Sequence, residues 1–212
     1  MKTALLAGST GLIGSQLLTL LLNSERYSRV IALTRHDLPA HPKLTQIHAD
    51  GQTLIAYVDQ LGADDVFCCL GTTMAKAGSK EKFHQVDFTY PVELATLALA
   101  RGAKQFFVVS ALGADKNSSI YYNQVKGELE DALKGMGYPS LHIFRPSLLL
   151  GNRSEGRAGE DSAKIVYKIF GFLIPKKYKA IDSAKVARAM LQLAKQEKFG
   201  THVHESKDLQ SF

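Results

Sequence analysis

The stretch TALLAGSTGLIG, Thr3 to Gly14, reads as a short apolar strand, Ala4 to Ala7, then a turn holding Gly8, Gly11 and Gly14, then an apolar helix from Leu12 to Leu22 that stops near Asn23. A strand that runs through glycines into a helix gathers free backbone N–H groups and the positive end of a helix dipole at one spot. That spot suits a pyrophosphate. Gly8 makes the tight turn, Gly11 lets a phosphate approach the backbone, and Gly14 lets the helix pack closely on the strand. A plainer reading stands beside this one, since glycines also end strands where nothing binds.

Outward from this stretch the same alternation continues. Val30 to Thr34 is a β-branched run followed by Arg35-His36 and a loop with Pro39 and Pro42, and Leu44 to His48 is a further short strand closed by Asp50-Gly51. The pattern predicts a helix over Gln52 to Leu61, a strand over Asp65 to Leu70, and a long helix over Lys80 to Arg101 that ends before Gly102. Gln105 to Val109 is a strand ending at Ser110, Ser118 to Lys134 a helix ending at Gly135, and Leu141 to Phe144 a strand ending at Arg145-Pro146. Short strands of Val, Ile, Leu and Phe alternating with helices predict an α/β chain with a doubly wound, mostly parallel sheet and helices on both faces. Past Pro146 the character changes. Gly151 to Asp161 is polar and glycine-rich, and Ser162 to Ile174 is apolar at helical spacing. Asp182 or Ser183 caps a last helix to Lys195, and Thr201 to His204 reads as a late strand. Gly151 to Ala180 is read as a small substrate lobe or lid, with a surface loop plus a core helix as the alternative.

At 212 residues, 45% apolar and 22% charged, the chain suits a single domain over residues 1–212 with one large core. No window reaches the roughly 18 apolar residues of a membrane span. Met1-Lys2 runs straight into a strand that Gly8 and Gly11 interrupt, which does not read as a signal peptide, so a cytoplasmic protein is expected. Cys68 and Cys69 are neighbours whose side chains point to opposite faces of a strand, so free thiols in a reducing compartment are expected. The seven His are scattered and no metal site is expected. The formal charge of +6 is spread along the chain, with Lys176, Lys177 and Lys179 the nearest thing to a basic run. No nucleic-acid motif accompanies it, so neither nucleic acid nor membrane is expected as a partner.

In such a sheet, ligands bind at the carboxyl ends of the strands, and several polar residues fall there. Arg35 follows the second strand, where a dinucleotide fold places an acid against the adenosine ribose of NAD. A cation there suits the 2′-phosphate of NADP, so NADP (NADPH) is expected ahead of NAD, the alternative being a merely exposed arginine. Asp50 is a candidate acceptor for the adenine amine, or equally a loop cap. Tyr122 and Lys126 are four apart on a predicted helix and share a face that points at the strand ending in Ser110. An ammonium beside a phenol stabilises the phenolate, which lets the phenol act as acid or base nearer neutral pH. The pair Tyr-x-x-x-Lys also arises by chance, and it gains weight only with Ser110 and the glycine turn.

With these residues in hand, the chain resembles the short-chain dehydrogenase/reductases. The likeness lies in Gly8-Ser9-Thr10-Gly11-Leu12-Ile13-Gly14, then Ser110, then Tyr122-Asn123-Gln124-Val125-Lys126, with Arg145-Pro146-Ser147 and Asp182 to Ala187 as later landmarks. Cys68 to Thr73 and Val125 to Glu130 make it most similar to the atypical NAD(P)-binding branch, the HIV Tat-interacting protein-like and NmrA-like oxidoreductases. The resemblance implies a Rossmann fold and hydride transfer between nicotinamide and a small carbonyl or alcohol. It implies that Tyr122 exchanges the proton with the substrate oxygen, that Ser110 hydrogen-bonds that oxygen, and that Lys126 binds the nicotinamide ribose. It implies that Leu70, Gly71, Thr72 and Thr73 line the cofactor and that Pro146 to Leu148 sit by the nicotinamide. The chain departs from the family at Asp87, where many members carry an Asn that supports a proton relay. Some members look like regulators, so a weakly catalytic NADPH-binding module with a protein partner is the second reading. Many relatives pair through the helices predicted at Lys80 to Arg101 and Ser118 to Lys134, and monomer or homodimer is left open.

Overall fold

The computed structural model describes residues 1–151 and 179–212. The helix expected at Ser162 to Ile174, most of the expected substrate lobe, and Lys176-Lys177 lie outside the described residues. Among the described residues, seven strands form one sheet in the order β3-β2-β1-β4-β5-β6-β9, and every neighbouring pair is parallel. These are β1 (Lys2–Ala7), β2 (Tyr27–Thr34), β3 (Leu44–His48), β4 (Asp65–Cys68), β5 (Gln105–Val109), β6 (Ser140–Arg145) and β9 (Gly200–Glu205). A separate short parallel pair joins β7 (Leu149–Leu150) to β8 (Ile181–Asp182). The strand order reverses between β1 and β4, which opens a crevice at their carboxyl ends.

Both faces of the sheet are covered, which is why the central strands read as continuous apolar runs. On one face α1 (Leu12–Leu22) and α6 (Ser183–Ala194) pack against Leu6, Phe67, Phe107 and Phe144. On the other, α4 (Tyr90–Ala100) and α5 (Tyr121–Lys134) pack against Leu5, Val66, Phe106 and Ile143. Residues alternate along each strand, so Leu5 and Leu6 belong to different cores.

Three segments differ from the expected helices. Gln52 to Leu61 winds as a 3-10 turn over Leu54–Gln60, which brings Leu54 and Tyr57, three apart, onto the sheet together. The helix expected at Lys80 to Arg101 is broken into α3 (Lys80–His84), a π turn (Gln85–Thr89) and α4. Pro91 has no N–H to give the carbonyl of Asp87, and the ladder shifts register so that the Tyr90 N–H bonds the carbonyl of Gln85. The helix expected from Ser118 begins at Tyr121, because the Ser118 hydroxyl takes the Ile120 N–H at 3.1 Å and Ile120 stays extended. Short helices α2 (Met74–Ala77) and α7 (Ser206–Leu209) were not anticipated. The last long helix is capped as expected, Asp182 accepting from the Ala184 N–H at 2.8 Å.

Candidate active site

The glycine turn is built as its spacing predicts. Gly8 has φ +81°, and a Cβ there would lie 2.5 Å from the Cys69 carbonyl oxygen at the end of β4. A Cβ on Gly14 would lie 2.0 Å from the Gly8 oxygen, so close packing of α1 on the turn demands glycine. Above Gly11 the space is open apart from the Gly8 oxygen at 3.3 Å. No side chain caps the first turn of α1, which starts at Leu12-Ile13-Gly14. The Ser9 hydroxyl is buried with no hydrogen-bond partner among the described residues, whereas Thr10 is exposed. An uncapped helix start, an open glycine and an orphaned buried hydroxyl fit the phosphates of a dinucleotide.

Beside this turn, the loop after β4 carries Leu70, Gly71, Thr72 and Thr73. The Thr72 N–H donates to Asp87 Oδ2 at 2.8 Å, and Thr73 caps α2 by accepting from the Lys76 N–H at 3.2 Å. Gly71 lies against Asp87 and Lys126; a Cβ there would stand 3.4 Å from Asp87 Oδ1 and 3.8 Å from Lys126 Nζ. Lys126 Nζ lies 2.8 Å from Asp87 Oδ1, and both side chains are buried, at 3% and 1% exposure. Burial, the largest influence on Lys126, disfavours its ammonium, but Asp87 and then Tyr122 outweigh it and hold the group above the ordinary lysine value. Tyr122 is partly exposed, its ring 5.6 Å from that of the fully buried Phe83. The fold thus brings Tyr122, Lys126, Gly71 and Thr72 to one place, on α5 and the β4 loop.

Ser110 is directed elsewhere. Its hydroxyl is buried and donates to Glu130 Oε1 at 2.6 Å. Glu130 is in turn held by Arg145 through Nε at 2.9 Å and Nη2 at 2.6 Å, and Arg145 reaches Glu205 at 3.1 Å. The hydrogen bond to Glu130 leads the influences that raise Arg145 above its usual value. A polar cleft of about 240 Å³ opens beside this network, lined by Asp115, Lys116, Glu130, Asp131, Lys134 and Arg145. Its Lys116, Lys134 and Arg145 are all ion-paired, and no residue of the glycine turn lines it.

The remaining expected residues are spread along the crevice. Arg35 is exposed directly after β2 and makes no ion pair or hydrogen bond among the described residues. Asp50 is a loop cap: Oδ1 accepts from the Gln52 and Thr53 N–H groups and from the Thr53 hydroxyl, each at 3.0 Å. The Thr53 hydroxyl is the chief cause holding Asp50 below the usual carboxylate value. The buried Pro146 accepts from the Leu112 N–H at 3.0 Å, and Leu148, 57% exposed, accepts from the Ile181 N–H at 2.9 Å. Phe83, Glu130 and Ser183 were not anticipated as residues of the site, the sequence marking Ser183 only as a candidate helix cap. Ser183 has a buried hydroxyl with no hydrogen-bond partner among the described residues; it lies, with Leu12 Cδ2, within 3 Å of where a Gly151 Cβ would sit. Spacing offered a signal for two of them, since Glu130 follows Lys126 by four and Phe83 precedes Asp87 by four.

Comparison with known proteins agrees with this architecture. Residues 4–124 match the NAD dependent epimerase/dehydratase family. Protein HTATIP2 of Rattus norvegicus is 38% identical over 198 residues, spanning 90% of this chain and 80% of that protein. Protein fmp52-1, mitochondrial, of Aspergillus terreus is 35% identical over 175 residues, spanning 78% of this chain and 75% of that one. Among solved structures, MoeE5 in complex with UDP-glucose and NAD is similar at TM-score 0.72 and 19% identity, covering 95% of this chain and 74% of that chain. WbmH of Bordetella bronchiseptica in complex with NAD+ gives 0.73 at 18% identity, covering 97% and 76%. At such identity these two likenesses speak for the fold alone. The family match and the rat relative say more: the chain belongs to the NAD dependent epimerase/dehydratase family, in the atypical short-chain dehydrogenase/reductase branch that resembles HTATIP2.

Proposed function

We propose that the protein is an NADP-dependent oxidoreductase acting on a small carbonyl or alcohol, with Tyr122 as the acid and base. The observation that carries this reading is the buried Lys126 ammonium on the same face of α5 as Tyr122, beside the Gly71-Thr72 loop. When bound, the nicotinamide supplies or accepts the hydride. In the reducing direction the Tyr122 hydroxyl gives its proton to the substrate oxygen and is left as a phenolate beside Lys126. In the oxidising direction it takes the proton back. The uncapped start of α1 with Ser9 and Gly11 would hold the pyrophosphate, and Arg35 the 2′-phosphate. Leu70 to Thr73 would line the cofactor, and Pro146 to Leu148 would face the nicotinamide.

The test is a titration with NADPH and NADH followed by a screen of small carbonyls and alcohols. Preference for NADPH together with turnover supports the reading, and binding of neither cofactor overturns it. A second reading is favoured by one observation, the commitment of the Ser110 hydroxyl to Glu130. It is a catalytically weak NADPH-binding regulator acting through a protein partner. Partner affinity that changes with NADPH, without turnover, would select it. No helix among the described residues is long and apolar enough to cross a membrane. A cytoplasmic location belongs to the same proposal, supported by the free Cys68 and Cys69 thiols, and fractionation of cells tests it against the mitochondrial label of the fungal relatives.

A further inference from the structure

The π turn places one carboxylate where three parts of the site meet. Asp87 is fully buried, its Oδ1 lies 2.8 Å from Lys126 Nζ, and its Oδ2 accepts the Thr72 N–H at 2.8 Å. Gly71 packs against both charged groups, at ordinary contact distance. A buried ammonium without an opposite charge tends to lose its proton, and a buried carboxylate without donors tends to gain one. Each therefore depends on the other. The π register brings Asp87 to this point, and π turns recur at functional sites.

We propose that Asp87 is a positioning residue: it is the standing counter-ion that keeps Lys126 protonated and fixed beside Tyr122, and it ties that charge to the Gly71-Thr72 loop. This rests on the proposed oxidoreductase reading. An acceptor with one oxygen on Lys126 and the other on Thr72 has no proton to hand on. Asp87 thus replaces a neutral relay group with a fixed charge, and its effect reaches the chemistry through Lys126. Among the described residues, the groups facing Lys126 are Asp87 from the π turn, Tyr122 from its own helix and Cys68 from β4, whose thiol burial pushes up to about 11. Of these three, Asp87 is the one in ion-pair contact with the ammonium, at 2.8 Å.

The experiment follows the Lys126 ε-carbon by carbon-13 NMR of lysine-labelled protein across pH 6 to 11, the signal being assigned with Lys126→Arg. In the parent and in Asp87→Glu the signal should stay in its charged position beyond about pH 10. In Asp87→Asn it should titrate lower by about two pH units. An unmoved signal in Asp87→Asn overturns the proposal, as does a parent signal that titrates below about pH 9. NADPH affinity provides the second readout. It should be flat with pH in the parent and fall about tenfold per pH unit above the new Lys126 midpoint in Asp87→Asn. If the parent binds no NADPH at any pH, the oxidoreductase reading fails while the carbon-13 titration still judges Asp87. Should Asp87→Asn fold poorly, Asp87→Asn with Lys126→Met should recover stability, because the orphaned charge is gone. No recovery would show that Asp87 acts on the fold independently of Lys126, and the proposal would be wrong.

Discussion

The two ends of the sheet use the same three groups in different order. At the amino ends, Asp65 is fully buried and accepts from the Tyr27 hydroxyl at 2.7 Å, with Arg26 at 3.1 Å, Gln105 Nε2 at 2.7 Å and Lys2 at 3.7 Å also against it. At the carboxyl ends, Asp87 is equally buried, but its partners are Lys126 and the Thr72 N–H. Tyr27 therefore faces a carboxylate. Burial first, and then Asp65, hold its phenol far above the ordinary tyrosine value, so it stays protonated and structural. Tyr27 also takes the Arg26 Nε–H at 3.3 Å, whereas Tyr122 lies beside Lys126 with no carboxylate bonded to its hydroxyl among the described residues. One arrangement locks a proton in place, and the other sets a phenol beside a buried ammonium.

The same substitution at the two tyrosines breaks the comparison most directly. Tyr122→Phe should cut turnover by about 10²- to 10⁴-fold, the usual worth of a general acid or base, with the melting temperature and NADPH affinity almost unchanged. Tyr27→Phe should leave turnover intact and cost about 1–3 kcal/mol of stability, because Asp65 loses a buried donor. Steady-state kinetics and denaturant melts on both proteins decide it. Equal loss of stability at the two positions would mean that Tyr122 is also only a packing residue.

How far the sequence foretold these two ends differs in an instructive way. The glycine turn was legible because Gly8 and Gly14 answer to local contacts, within the turn and with the strand beside it. Tyr122 and Lys126 were legible because helical spacing puts positions four apart on one face. Asp87 could be noticed as a departure but not interpreted, since its partners lie 15 residues away at Thr72 and 39 away at Lys126. A helix drawn straight from Lys80 to Arg101 also hides the π turn that places it. Ser110 was placed at the right strand end, yet the direction of its hydroxyl depends on Glu130, which only tertiary packing supplies. The Asp65 cluster was invisible as a cluster: Lys2, Arg26, Asp65, Gln105 and Glu197 come from five separate segments. Short-range geometry could be read, and long-range pairing of buried charges could not.

A third buried polar group sharpens the contrast because it contains no carboxylate. His142 Nδ1 lies 2.9 Å from His204 Nε2, and the two rings stack with Phe107 on the inner side. Burial, then His204 and His202, push His142 down to about 3; burial and His202 push His204 to about 4, against a small opposing pull from Asp208, and Lys198 also faces both rings. In the unfolded chain an imidazole titrates near about 6.5. On acidification the unfolded state binds these protons first, so this contribution to stability is present above about pH 6.5 and is lost as pH falls toward 4 and 3. Denaturant melts from pH 7 to 4 should show a steady decline that His142→Phe reduces. If His142→Phe declines as steeply as the parent, acid sensitivity belongs to the carboxylate clusters at the two ends instead.

The smallest expected effect concerns a cation that stands without a partner among the described residues. Lys126 has Asp87 and Arg26 has Asp65, whereas Arg35 is exposed with no ion pair among the described residues. A solvated arginine gains little from a distant charge but can pair bidentately with a phosphate brought against it. Arg35→Ala should therefore weaken NADPH binding by about tenfold, or about 1.4 kcal/mol, and leave NADH binding within about twofold. Because the charge is exposed, the difference should shrink as salt rises past the point where the screening length falls below about 8 Å. Titrations of both cofactors at low and high salt make the measurement. If Arg35→Ala weakens NADH as much as NADPH, Arg35 acts on the shape of the loop after β2 rather than on a 2′-phosphate, and the preference for NADP loses its support.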